Sequence, residues 1–271
     1  MPVSDKIAQY FRKTNHVIIH YHIFKNAGST VDAVLQRNFG EACGSFEGDS
    51  LAFVVTPESL LNYIVCNPHL KVISSHNARL PVPKHRRISF YPLIFLRHPI
   101  DRIGSMYAFE RRQPHGTTLT SDFARENSFA EYVQHFLHKS TFFLKNYQTL
   151  HFSGREMREK LKAPAVMADL EIALERLRNL AFLGIVEYFD ESLLLMQDYL
   201  QKSFGPIDIS YSIINKSTNR EASLETRLDR ISNELGPDLY SELMENNMLD
   251  LELYKTATNL FKERTGRKDR H

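Results

Sequence analysis

The chain has 271 residues, 42% of them hydrophobic, which is enough for one large core or two small ones. Its 34 basic residues against 32 acidic leave a formal charge of +2, so no global field points to a nucleic-acid partner, although local clustering can still build a cleft for a small anion. The two cysteines, Cys43 and Cys66, fit no metal-ligand spacing and read as free thiols, with a single disulfide as the alternative; the first residues lack a signal-peptide core and no apolar run reaches membrane-spanning length, so a cytoplasmic protein without an integral membrane segment is expected.

In chain order, "HVIIHYHIF" (16–24) is β-branched and aromatic, and reads as a strand. Beyond Gly28, the apolar residues Val31, Val34, Leu35 and Phe39 fall on a helical stripe that Gly40 stops. "TPESLLNYIV" opens a helix with Thr56 as N-cap and Pro57 at its first position. "LKVISSH" (70–76) and "FYPLIFLRH" (90–98) are the next two strands, the latter ended by Pro99 and followed by a helix over "IDRIGSMYAFERR". Helical patterns recur at 128–145 and 168–179. "AFLGIVE" (181–187) is a fourth strand, and "DESLLLMQDYLQ" a further helix. From Ser223 to Arg264 the periodicity is helical, with a break at "GPD". Alternating strands and helices predict an α/β fold with a P-loop-like central parallel sheet flanked by helices. The expected organisation is a single domain over 1–271, with 222–265 as a helical C-terminal segment.

Two polar stretches carry the chemistry. In "HIFKNAGST", from His22 to Thr30, a strand-to-helix turn joins Lys25 to Gly28 and to the hydroxyls of Ser29 and Thr30. The first amides of a helix lack intrahelical partners and carry partial positive charge, so such a turn can cradle a phosphate, with the glycine admitting the ligand to the backbone. The loop is not the G-x-x-x-x-G-K-[ST] of a Walker motif, and a plain polar connection is the alternative. In "FLRHPIDRIGSMY", Arg97 ends an apolar strand, where ligands collect in open α/β sheets, and its planar fork suits bidentate phosphate binding. An ion pair between Arg97 and Asp101 is the competing reading. Two anion devices at two strand ends suit a ligand with two separate anionic groups.

"HIFKNAGST" resembles the 5′-phosphosulfate loop of carbohydrate-type sulfotransferases, H-I-P-K-[TN]-[AG]-G-[TS]-[ST], with Phe24 in place of the usual Pro. "LRHPIDRIGSMY" resembles that family's 3′-phosphate element, an Arg followed eight residues later by a Ser. "NYQTLHFSG" (146–154), "NLAFLGIVEYFDESLLLM" (179–196) and "NNMLDLELYKTATNLF" (246–261) resemble further family stretches in the expected order. The likeness covers nearly the whole chain and is nearest to soluble, bacterial-type and heparan-sulfate 2-O-sulfotransferase-like members. It implies 3′-phosphoadenosine 5′-phosphosulfate (PAPS) as donor, with Lys25, Asn26, Ala27, Gly28, Ser29 and Thr30 on the 5′ end, and Arg97 and Ser105 on the 3′-phosphate. It also implies that Lys25 stabilises the leaving phosphate oxygen.

Sulfuryl transfer to a hydroxyl needs a base, and His suits neutral pH. His20 and His22 share one strand face and are expected to pack on the sheet; His98, in a pre-proline turn, reads as structural. His76 ends the second strand at the same cleft edge. In relatives that sulfate uronic acids a catalytic His occupies a matching place, so His76 is the expected base, with a structural strand-end His as the alternative. "RLPVPKHRR" gathers Arg79, Lys84, Arg86 and Arg87, and Arg111 and Arg112 follow in "ERRQPHGTT". These residues either clamp an acidic glycan acceptor or form a solvated basic face. A lipid or small natural product is the other acceptor class. "IINKSTNR" (213–220) could fold over the nucleotide. No metal ligand set is expected, and the sequence assigns no oligomeric state. Two other functions remain open: a Mg²⁺-dependent nucleotide kinase, and a non-catalytic binder of the spent nucleotide.

Overall fold

The computed structural model describes residues 14–48, 54–139, 142–155, 164–211 and 223–266. The expected loop at 213–220 lies outside the described residues. Five strands form one parallel sheet in the order β2-β3-β1-β4-β5. They are β1 (Asn15–Tyr21), β2 (Cys43–Ser45), β3 (Val72–Ser75), β4 (Ile88–Leu96) and β5 (Gly184–Ile185). The described helices are α1 (Gly28–Phe39), α2 (Pro57–Cys66), α3 (Pro99–Glu110), α4 (Leu119–Glu126), α5 (Phe129–His138), α6 (Tyr147–Ser153), α7 (Met167–Asn179), α8 (Phe189–Phe204), α9 (Leu224–Leu235), α10 (Pro237–Glu245) and α11 (Met248–Thr265). Among the described residues, no helix is long and apolar enough to cross a membrane.

The α/β reading holds, because Val17, Ile18 and Ile19 in β1 and Leu93 to Leu96 in β4 are buried consecutively, as strands covered on both faces must be. One face packs α1 and α8 through Val31, Val34, Leu193 and Met196. The other packs α2, α6, α7 and α11 through Ile64, Phe152, Leu177, Leu253 and Phe261. A third cluster joins α3, α5, α9 and α10 through Ile103, Val133, Ile231 and Leu243. The C-terminal helices are thus part of the core.

Boundaries moved for local reasons. The first strand stops at Tyr21 because the Ile23 amide turns back to the Tyr21 carbonyl at 2.9 Å. The fourth expected strand shrinks to Gly184–Ile185, followed by a single 3₁₀ turn. A Cβ on Gly184 would stand 2.4 Å from the Phe95 ring, so only glycine admits this approach of β5 to β4. The expected helix at 128–145 ends at His138. It opens on a capping box in which the Ser128 hydroxyl accepts from the Glu131 amide and the Glu131 carboxylate accepts from the Ser128 amide. β2, three residues long, is too short to leave a periodic signal.

Chain order fixes where a ligand can sit. From β1 the chain runs to β2 and β3 on one side, then crosses to β4 on the other. The carboxyl ends of β1 and β4 therefore flank the switch point, where open α/β sheets bind ligands. Lys25 follows β1, Arg97 follows β4, and His76 follows β3.

Candidate active site

The loop after β1 is tightly determined. Lys25 and Ala27 have φ of 68° and 62°, left-handed values that cost a non-glycine residue about 1–3 kcal/mol and gather at functional turns. Asn26 holds the loop down: its side-chain amide donates to the Phe95 carbonyl at 2.7 Å and to Gln148 Oε1 at 2.8 Å. Its backbone amide is spent on the Ile23 carbonyl at 3.1 Å. Asn26, expected as a phosphate ligand, is therefore an anchor of the loop. The amides of Ala27, Gly28 and Ser29 take no acceptor among the described residues, and they open α1 as the orphan donors of a helix N-terminus.

Gly28 has a different reason from the expected one. A Cβ there would stand 2.0 Å from Cδ2 of His22, so the imidazole, rather than a ligand, occupies the space over its Cα. Thr30 is buried and Ser29 half-buried. The Lys25 ammonium rests 4.2 Å from the centroid of the Phe109 ring. Its carbonyl accepts from Arg97 Nη1 at 3.1 Å, which joins the two motifs.

His20 and His22 do more than pack on the sheet. Asp32, one turn into α1, accepts from His20 Nδ1 at 2.6 Å and from His22 Nδ1 at 2.9 Å. The two rings stack at 5.2 Å, and His22 stacks on His76 at 3.9 Å. Burial pushes His22 down to about 4, against the opposing pull of Asp32, so its ring is neutral at pH 7. Burial works against charge on Asp32, but His20 and His22 hold its carboxyl far below the usual range. Among the described residues, His20, His22 and Asp32 are the one trio with metal-ligating atoms within 4.8 Å of one another. Each Asp32 oxygen is already engaged by one ring nitrogen at hydrogen-bond distance, which accounts for the cluster without an ion.

His76 stands half-exposed at the end of β3. Its Nδ1 lies 2.9 Å from Glu47 Oε1, and its Nε2 makes no bond among the described residues. The His98 amide donates to Glu187 Oε1 at 2.9 Å and its ring packs on the edge of Tyr254, while its buried Nδ1 takes no partner among the described residues.

A cleft of about 270 Å³ opens between α3 and α9, lined by Arg97, Asp101, Ser105, Arg111, Arg227 and Arg230, among others. A Cβ on Gly104 would meet the end of Ile231 at 2.9 Å; this close approach of the helices brings Arg227 and Arg230 opposite Arg97. Asp101 accepts from Arg97 Nε at 2.8 Å and from Arg227 Nε and Nη2 at 2.8 and 3.0 Å. Burial disfavours its charge, yet the Arg97 and Arg227 guanidiniums keep the carboxyl below the ordinary range. The ion pair read as the competitor of phosphate binding therefore exists. With Nε on Asp101 and one Nη1–H on the Lys25 carbonyl, part of the expected free fork of Arg97 is already engaged.

Gln148 holds both motifs in register. Its Oε1 accepts from Asn26 Nδ2 and from the Arg97 amide, and its Nε2 donates to the Arg97 carbonyl at 2.9 Å. Asp250 in turn receives the Gln148 and Thr149 amides at 3.0 and 2.7 Å, while Asn146 and Asn247 bond each other's segments. The stretches at 146–154 and 246–261 thus brace the site. The basic residues read as either an acceptor clamp or a solvated face fall into two groups. Arg79 is buried, its Nη1 donating to the His76 and Ala78 carbonyls at 2.8 and 3.1 Å, whereas Lys84, Arg86, Arg87 and Arg112 are exposed.

A parallel sheet with an amide-lined turn and an arginine cleft at its switch point defines an α/β protein whose strand ends suit an anionic ligand. The family model of the sulfotransferase family matches residues 8–256, and the chain belongs to that family. It is also 32% identical over 252 residues to an uncharacterized protein of Archaeoglobus fulgidus, an alignment that covers 91% of this chain and 98% of that protein. Sulfuryl transfer to a hydroxyl-bearing acceptor is the activity that membership supports.

Proposed function

We propose that the protein transfers the sulfuryl group of PAPS to a hydroxyl of a glycan acceptor. The observation that carries this is a run of contacts. The half-exposed His76 ring stacks on His22, and the His22 ring covers the Cα of Gly28 in the anion loop. A base whose Nε2 makes no bond among the described residues thus neighbours the helix N-terminus that suits the 5′-phosphosulfate.

The free amides of Ala27, Gly28 and Ser29, with the Ser29 and Thr30 hydroxyls, receive the donor's 5′ end. Arg97, Ser105, Arg227 and Arg230 receive the 3′-phosphate in the cleft, whose lining also holds the carboxylates of Asp101 and Glu234. The acceptor oxygen attacks sulfur in line. The S–O bond to the bridging oxygen breaks, its electron pair passes to the 5′-phosphate of adenosine 3′,5′-bisphosphate, and the hydroxyl proton passes to His76 Nε2. Lys25 leaves the Phe109 ring to reach the bridging oxygen, where negative charge develops.

The test incubates the protein with ³⁵S-labelled PAPS and a panel of polysaccharides, lipids and phenols. Label in a polysaccharide, lost in His76→Ala, is the expected result. Label only in lipid or phenol would refute the glycan acceptor, and no label in any would refute the transfer.

A further inference from the structure

No step of this transfer uses Glu47, yet its carboxylate is fixed at several points beside the proposed base. It follows β2, and its two oxygens each receive the His76 amide at 3.0 Å, while Oε2 also receives the Asn77 amide at 3.1 Å. The Glu47 carbonyl accepts from Asn77 Nδ2 at 2.9 Å. These bonds place the carboxylate before the imidazole is considered. Burial opposes its charge, but the hydrogen bonds from the His76 ring and from the His76 and Asn77 amides hold the carboxyl below the ordinary range.

An ionised carboxylate only accepts hydrogen bonds, so the proton between Glu47 Oε1 and His76 Nδ1, 2.9 Å apart, belongs to the ring. The His22 ring stacked 3.9 Å away restrains the imidazole from one side. We propose that Glu47 is the positioning residue of the transfer: it keeps the proton on Nδ1 of His76, so that Nε2 is bare and can take the acceptor's hydroxyl proton. As that proton arrives, the carboxylate also faces the imidazolium that forms. Among the described residues, the other ionisable groups around this ring include His22, paired to Asp32 and neutral through burial, and at longer range the buried His151 and Arg79. Glu47 is the carboxylate bonded to the His76 ring.

The inference rests on the proposed sulfuryl transfer, and its test separates the two. ¹⁵N imidazole spectra of the intact protein at pH 8 report the tautomer of each histidine without any donor, and His76→Ala identifies the His76 signals. The wild type is expected to show Nδ1–H. In Glu47→Gln the side-chain oxygen still accepts the backbone amides while its NH₂ turns to Nδ1, so His76 shifts to Nε2–H. Adenosine 3′,5′-bisphosphate affinity is expected to stay within about twofold, and kcat of label transfer to fall by about 10²-fold with KM kept, the scale of losing a partner that orients an imidazole. The acidic limb of the kcat pH profile is expected to move with it, and Glu47→Asp to restore the Nδ1–H form. Retention of Nδ1–H in Glu47→Gln, or loss of nucleotide binding in that variant, would overturn the positioning role. Failure of the wild type to bind the bisphosphate would instead refute the transfer, whatever the tautomer.

Discussion

The loop after β1 and the cleft between α3 and α9 both suit anions, and they are built in opposite ways. The loop is local and largely uncharged: within nine residues, left-handed turns, an anchored Asn26 and a glycine packed on His22 aim backbone amides at one place. The cleft is assembled at long range from α3 and α9, and it sets several guanidiniums around one buried carboxylate, Asp101. A backbone site is preorganised by packing and responds little to salt. A guanidinium site needs a counter-charge to exist without ligand, and exposed parts of it weaken as ionic strength rises. In the proposed transfer, one donor is therefore held by shape at one end and by charge at the other.

The largest expected effect falls between the two regions. His76→Ala should lower label transfer by roughly 10²–10⁴-fold while calorimetric affinity for adenosine 3′,5′-bisphosphate is kept; unchanged turnover would remove His76 from the chemistry. Next, Arg97→Ala should weaken bisphosphate binding by about 10- to 100-fold, the scale of a lost charged hydrogen bond. The deficit should shrink in high salt, because the cleft is the charge-based half. A salt-independent loss would mean that Arg97 acts only through the Lys25 carbonyl.

Gly28→Ala should break the shape-based half. Its Cβ meets the His22 ring at 2.0 Å, so a cost of about 1–3 kcal/mol is expected, read as a fall in melting temperature. A variant as stable as the wild type would contradict the packing reason for this glycine. Acid should act on the same half. His22 is neutral when folded down to about pH 4, against a usual value of 6.5, so the unfolded chain binds the extra proton between these limits. Stability therefore rises with pH across that window, and the melting temperature should drop as pH falls from 6.5 toward 4. His98, also pushed down to about 4 by burial, adds to the same slope. A flat profile would contradict the burial of both as neutral rings. The smallest effect is expected of Ser223→Ala, which removes the N-cap bond to the Thr226 amide at the start of α9. About 1 kcal/mol of stability should be lost, with slight weakening of bisphosphate binding.

The contrast also explains what the sequence showed and what it hid. The loop, Arg97 and the existence of β1, β3 and β4 were legible because each lies in one short stretch of apolar run, turn and helix start, although the strand ends moved by up to three residues. Hidden were the residues whose role exists only across the fold. Arg227 and Arg230 lie in a stretch whose sequence shows only helical periodicity, and they gain a role when Gly104 and Ile231 bring α9 against α3. Gln148 is one polar residue in a short helix, yet it ties Asn26 to Arg97. Asp32 and Glu47 gain meaning only when α1 and the segment after β2 carry them to the histidines. His22 and Gly28 were both singled out, but their contact, which sets the use of each, has no signature in sequence spacing.

The most direct test of the central claim is calorimetric titration of the protein with adenosine 3′,5′-bisphosphate beside ADP and ATP, without metal, repeated with Arg97→Ala. A two-ended donor site predicts clear preference for the bisphosphate in the wild type, and loss of that preference in the variant. Equal or stronger binding of ATP, or a preference that survives Arg97→Ala, would contradict the assignment of the cleft to the 3′-phosphate.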